Sequence, residues 1–248
     1  MTRILIIMIL FHANQLTADW HGTNQRIRTF ANSKQKLSII YKHRPKTFYC
    51  GCSYQDKRIL ANSCNYRPKR ISRRAFRIEW EHIVPASFWG KNFEPWTKGS
   101  SECVKSSGKK YKGRKCAHKV SHLFRRMEAD MYNLVPAIGS INAARSDYIM
   151  GIIPGEQRYF GGCDFEIDRH VIEPRAEIRG DIARIHLYMM SAYPNKVELT
   201  THDLKMMLHW DRLDPPTSSE MQLGHKIEQI QGNRNHYLDK NYPRPAGK

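Results

Sequence analysis

Arg77-Ile78-Glu79-Trp80-Glu81-His82-Ile83-Val84-Pro85 is the stretch on which the reading of this chain turns. From Phe76 to Val84 the side chains alternate, with Phe76, Ile78, Trp80 and Val84 on one face and Arg77, Glu79 and Glu81 on the other. That alternation predicts a strand with one polar face. Its end carries a carboxylate followed by an imidazole. Hydrolysis of a phosphodiester needs a base for water and a cation against the phosphate. His82, with an ordinary pKa near 6.5, suits the first task, and Glu81 offers the hard oxygen that magnesium prefers. Neighbours on an ideal strand point to opposite faces, so the two converge only where the strand ends or bends. Pro85 marks such an end.

Outward from this strand, a helix is predicted from Asn32 or Ser33, with Leu37, Ile40 and Tyr41 on one side and an end before Pro45. Val120, Leu123, Phe124, Met127 and Met131 fall at helical spacing and predict a helix over residues 120–131. A further helix is expected from Ile178 to Met190. Another opens on Thr200 and Asp203 in capping-box spacing, and a short last one from Lys226 to Gln231 should stop at Gly232. The methionines of these segments read as core, and Phe88, Trp89, Phe93 and Trp96 as packing. Strands followed by helices with long loops predict an α+β class, one mixed α/β domain over residues 19–240 and a flexible tail at 241–248.

The first residues read as a secretory leader: Arg3, an apolar run from Ile4 to Phe11, and a cleavage point after Ala18. The apolar run falls far short of the roughly 20 residues a bilayer requires, so the mature form is expected to be soluble and exported. The chain of 248 residues carries 41 Lys and Arg against 23 acidic residues, a net +18. Loss of residues 1–18 removes only Arg3, leaving 40 against 23, or +17. Such an excess favours a polyanionic partner, nucleic acid first and anionic lipid second. Two basic runs, Arg67 to Arg77 and Lys105 to Lys119, concentrate it.

Export makes the even set Cys50, Cys52, Cys64, Cys103, Cys116 and Cys163 a source of up to three disulfides. Cys50 and Cys52 are too close to pair with each other, and Cys103 with Cys116 would close the basic loop between them. A rival reading groups Cys116, His118 and His122 near zinc-ligand spacing; the oxidising compartment argues against it.

Glu-His near a proline also arises by chance, so the wider text decides. It comprises Thr47 to Cys52, Arg77 to Pro85, Gly113-Arg114-Lys115, and the block Met127 to Gly139. Asn142, Arg145-Ser146, Glu173-Pro174, the block Arg179 to Arg184, and Ile230 to Asn233 complete it. In this order, over about residues 35–238, the chain closely resembles the bacterial endonuclease I family, periplasmic and secreted DNases of Gram-negative bacteria. The resemblance implies a ββα-metal (His-Me finger) core and a monomer that cuts DNA, and RNA as well, with little sequence preference. It implies His82 as general base and Glu81 and Asn142 as ligands of one Mg2+, which manganese or calcium could replace. Arg114 would contact the phosphate. Products would carry 5′-phosphate and 3′-hydroxyl ends.

The chain departs from the family pattern in three places. Its loop between Pro85 and Cys116 is longer and richer in lysine, so the match of Arg114 depends on how that loop is aligned. Ala143-Ala144 stands after Asn142 where the family has Gly-Asp, and no cysteine follows Cys163. The alternatives are a secreted nucleic-acid-binding protein of the same fold with weakened catalysis, and a basic envelope protein that binds other anionic polymers.

Overall fold

The computed structural model describes residues 22–155 and 157–245, and the leader read at 1–18 lies outside them. Helix α1 (Phe30–Ile40) starts earlier than its apolar spacing suggested, because the Thr29 side chain accepts a hydrogen bond from the Asn32 amide and caps the first turn. Leu37 and Ile40 are buried, and a single 3-10 turn at Tyr41–His43 ends the element before Pro45. Strands β1 (Tyr54–Gln55) and β2 (Arg58–Ile59) form a hairpin turned by Asp56 and Lys57, both at positive φ, 46° and 69°. The Lys57 carbonyl accepts from the Ile78 amide at 2.8 Å and seats the hairpin at the foot of β3 (Ile78–His82).

Beyond Pro85 come two short helices, α2 (Ala86–Gly90) and α3 (Glu94–Thr97). The aromatic residues here pack as expected: the rings of Trp89, Phe93 and Trp96 lie 6.4, 5.3 and 5.8 Å from Phe124. The helix expected over 120–131 is instead two, α4 (Arg114–Val120) and α5 (His122–Glu128). Ser121 separates them in an extended conformation. Its amide donates to the Ala117 carbonyl, closing α4, while its hydroxyl accepts from the Phe124 amide, opening α5. A serine that satisfies two helix ends competes successfully with a continuous helix. Met131 belongs to a separate turn, Met131–Asn133.

Strand β4 (Leu134–Ile138) pairs antiparallel with β3, from Ile78 opposite Ile138 to His82 opposite Leu134. Helix α6 (Gly139–Arg145) follows directly. A second sheet has the order β5 (Ile149–Met150), β7 (Val171–Pro174), β6 (Phe165–Asp168), with β5 parallel and β6 antiparallel to β7. Helices α7 (Arg179–Ala192) and α8 (Thr201–Leu213) pack together, and Thr200 caps α8 by accepting from the Asp203 amide. Helix α9 (Ser218–Gln231) is longer than the short segment expected. Thr217 accepts from the Glu220 amide and starts it two turns earlier, and Gly232 ends it at φ 84° as anticipated.

The sheets and the long helices share one apolar core, in which Met127, Met131, Met189 and Met207 are buried. The mixed α/β reading therefore holds. Three disulfides staple it: Cys50 with Cys163, Cys52 with Cys64, and Cys103 with Cys116. The stretch read as a tail from residue 241 is held as far as Arg244, whose Nε donates to Asp211 Oδ2 at 2.6 Å. No helix of the described residues is long and apolar enough to cross a membrane.

Candidate active site

The antiparallel pair β3–β4 and the helix α6 that continues from it form one wall of a cleft of about 550 Å3. Glu81, His82 and Asn142 line it together with Phe30, Arg77, Glu79, Arg114 and Arg145. The strand ends at His82, which lets two adjacent side chains share one cavity. Asn133 fixes that end, its side chain accepting from the Val84 amide at 2.8 Å and donating to the Val84 carbonyl at 3.0 Å.

His82 is 9% exposed, and its Nε2 lies 2.9 Å from the main-chain oxygen of Glu128. A carbonyl only accepts, so Nε2 carries the proton and Nδ1 keeps its lone pair. Burial pushes the His82 pKa down to about 3, and the charge of Arg114 adds to that effect against the pull of the Glu128 carbonyl. The imidazole is thus neutral at any physiological pH, with one defined basic nitrogen.

Glu81 is 4% exposed and its Oε1 stands 3.2 Å from Arg145 Nε. The angles there do not make a hydrogen bond, and Oε1 has no other partner. Burial pushes the Glu81 pKa up to about 7; Arg145 opposes the rise and the neighbouring Glu79 adds to it. Arg145 is held in place by the Ile83 carbonyl and, at 3.1 Å, the Ser146 carbonyl. On the same wall, Asn142 on α6 donates its amide nitrogen to Glu79 Oε2 at 3.1 Å. Its amide oxygen is thereby turned away from Glu79. Burial works to raise the Glu79 pKa, but hydrogen bonds from Arg74 and Arg77 and the charge of Arg74 leave it below the usual carboxylate range.

A buried carboxylate oxygen with no hydrogen-bond donor and an amide oxygen are hard donors that fit a small divalent cation. Two protein oxygens leave the remaining positions to water and phosphate, which suits magnesium. Among the described residues no cluster of three or more His, Cys, Asp or Glu could hold a metal. The zinc grouping dissolves for a covalent reason: Cys116 is bonded to Cys103, His118 pairs with Glu128, and His122 Nδ1 faces Arg125.

Arg114 stands first in α4, after Gly113 at φ 84°, and reaches the cleft from the opposite side. Its Nε donates to Glu128 Oε1 at 2.6 Å, and the other oxygen of that buried carboxylate meets His118 Nδ1 at 2.5 Å. Ala143 and Ala144 continue α6 from Asn142 to Arg145, and alanine is the residue best suited to do so. Sequence reasoning gave no role to Glu79, Glu128 or Arg145. Glu79 shares the polar strand face with Glu81, a signal already in the alternation. Glu128 lies 46 residues from His82, and nothing local announces it.

A sequence model of the family described as Endonuclease I matches residues 12–242. An extracellular deoxyribonuclease of Aeromonas hydrophila is 37% identical over 220 residues, covering 86% of this chain and 90% of that protein. A periplasmic deoxyribonuclease of the same organism is 35% identical over 87% of each chain. Endonuclease-1 of Buchnera aphidicola is 36% identical over 86% of this chain and 82% of its own. On this breadth of matching, the chain belongs to the endonuclease I family.

Proposed function

We propose that this protein is an exported, magnesium-dependent endonuclease that hydrolyses DNA, and RNA as well, with little sequence preference. The observation that carries the reading is the meeting of three groups in one cleft: the Glu81 carboxylate, one oxygen of which has no hydrogen bond, the Asn142 amide, and a His82 whose free nitrogen is fixed by the Glu128 carbonyl. The names of the relatives, extracellular and periplasmic deoxyribonucleases, support both the substrate class and the compartment.

In this reading Glu81 and Asn142 hold one magnesium ion. The bound ion would supply positive charge against the scissile phosphate and its leaving oxygen. His82 Nδ1 takes the proton of the attacking water, its lone pair left available because the Nε2 proton is committed to the Glu128 carbonyl. Arg114 holds a phosphate oxygen with the face of its guanidinium that Glu128 leaves free. Cleavage on the 3′-oxygen side gives 5′-phosphate and 3′-hydroxyl ends. Recognition through phosphates carries no direct base information, which accounts for low sequence preference. The monomer contains every group invoked.

The test is plasmid cleavage by the purified mature protein with magnesium or with chelator, alongside His82→Ala. Chelation should abolish cleavage, and the variant should lose about 10²- to 10⁴-fold in rate. Cleavage that persists in chelator, or in the variant, overturns the mechanism.

A further inference from the structure

Glu79 is the second carboxylate of the cleft and the mechanism leaves it without a task. We propose that Glu79 is a positioning residue: it fixes the orientation of the Asn142 amide, turning the nitrogen toward itself and committing the oxygen to the divalent cation. The inference rests on the magnesium reading and concerns the part of it that no ligand list contains.

An asparagine amide is nearly symmetric in shape, and only its hydrogen-bond partners decide which end faces where. An NH2 group cannot ligate a cation, so an amide free to turn over spends part of its time as a non-ligand. Glu79 removes that freedom because an ionised carboxylate only accepts. Its Oε2 lies 3.1 Å from Asn142 Nδ2.

The carboxylate is itself immobilised. Arg74 grips both oxygens, Nε to Oε1 at 2.9 Å and Nη2 to Oε2 at 2.5 Å, and Arg77 Nη2 reaches Oε1 at 3.0 Å. From the backbone side, Glu79 is in register opposite Ala137 of β4. Gly139, first residue of α6, closes the arrangement: a Cβ there would lie 2.8 Å from the Arg74 carbonyl oxygen and 2.9 Å from the Glu79 carboxyl carbon. Glycine therefore lets the helix carrying Asn142 sit against Glu79.

Glu79→Gln keeps the size and removes the selectivity. The two arginines would claim the glutamine oxygen, leaving its NH2 to face Asn142. Asn142 would then turn its own oxygen toward Gln and its nitrogen toward the cation.

Mn2+ binding without DNA, followed by electron paramagnetic resonance, tests this on the wild type, Glu79→Gln, Asn142→Ala and the double variant. Metal-free melting is recorded for each. Glu79→Gln is expected to weaken Mn2+ binding about tenfold, as loss of a ligand-orienting partner does. It should have no further effect in the Asn142→Ala background. A melting point shifted with Mn2+ affinity intact, or an effect that adds fully to Asn142→Ala, overturns the positioning role alone. A wild type that binds no Mn2+ overturns the metal reading and this inference together.

Discussion

Glu128 holds the two sides of the cleft with different parts of one residue: its main-chain oxygen receives the His82 Nε2 proton at 2.9 Å, and its carboxylate receives Arg114 Nε at 2.6 Å. The proposed base and the proposed phosphate-binding arginine are thereby set at a fixed spacing by a residue that does not line the cleft. The division of labour makes the two functions separable by mutation.

Glu128→Ala removes the carboxylate and keeps the carbonyl. His82 should retain its proton arrangement while Arg114 loses its anchor, and a misplacement on the order of 1 Å costs about a hundredfold in rate. The drop should appear in kcat/KM with Mn2+ affinity unchanged. The double variant with Arg114→Ala should be no slower than Arg114→Ala alone, since both changes remove one interaction. Independent, multiplying losses in a steady-state assay would refute the coupling.

Lys57 occupies the second position of a two-residue hairpin turn at φ 69°, where glycine is the residue that fits without strain. It also lines the cleft. Lys57→Gly should therefore stabilise the fold by up to about 1 kcal/mol, or roughly 2–4 °C in melting temperature for a chain of this size. At the same time it should weaken DNA binding and reduce the slope of log affinity against log salt by about 0.9. Opposite movements of stability and affinity identify a turn strained for its side chain. A salt slope equal to that of the wild type would show that Lys57 does not reach a phosphate.

His186 on α7 is buried away from the cleft, with Nδ1 held by the Ile182 carbonyl at 2.9 Å. Burial pushes its pKa down to about 4, the Ile182 carbonyl acts against that, and the charge of Arg145 adds to it. Because the folded value lies below the unfolded one near 6.5, the unfolded state binds the extra proton first. Stability contributed by neutral His186 is complete above pH 6.5 and is lost as pH falls through 4, by on the order of 3 kcal/mol in total. Denaturant titrations between pH 7 and 4 should show this loss, and His186→Gln should reduce its slope, leaving the part that buried His82 contributes in the same range. An unchanged slope in the variant would assign the acid sensitivity elsewhere.

How much of this was legible in the sequence depends on how local the cause is. The strand at Glu81-His82 and the Thr200 cap of α8 are set by alternation and by a three-residue spacing, and both were readable. The same spacing at Thr217 and Glu220 starts α9 and could have been read in the same way. Ser121 could not: helical spacing runs straight through it, and only the packed protein shows its hydroxyl and amide serving two helix ends. Glu81, His82 and Asn142 stood out through chemistry and resemblance. Of their supports, Glu79 was marked by the strand alternation, whereas Glu128 and Arg145 act through hydrogen bonds to distant segments that no local pattern announces.

The Cys103–Cys116 bridge closes the lysine-rich loop onto the helix whose first residue is Arg114. In the chain-entropy account, a crosslink across 13 residues restricts the unfolded state by about 3 kcal/mol. Replacing both cysteines by serine should lower the melting temperature by about 10 °C at 2–4 °C per kcal/mol. A second effect is expected on the rate, since α4 spans only Arg114–Val120 and the bridge at Cys116 pins its first turn. Measured at a temperature where the variant is fully folded, cleavage should fall more than Mn2+ binding does, because Arg114 is loosened while Glu81 and Asn142 are untouched. Export to an oxidising compartment would then complete the site as well as the fold. A folded variant that cleaves at the wild-type rate would show that Glu128 alone suffices to hold Arg114, and would restrict the disulfide to stability.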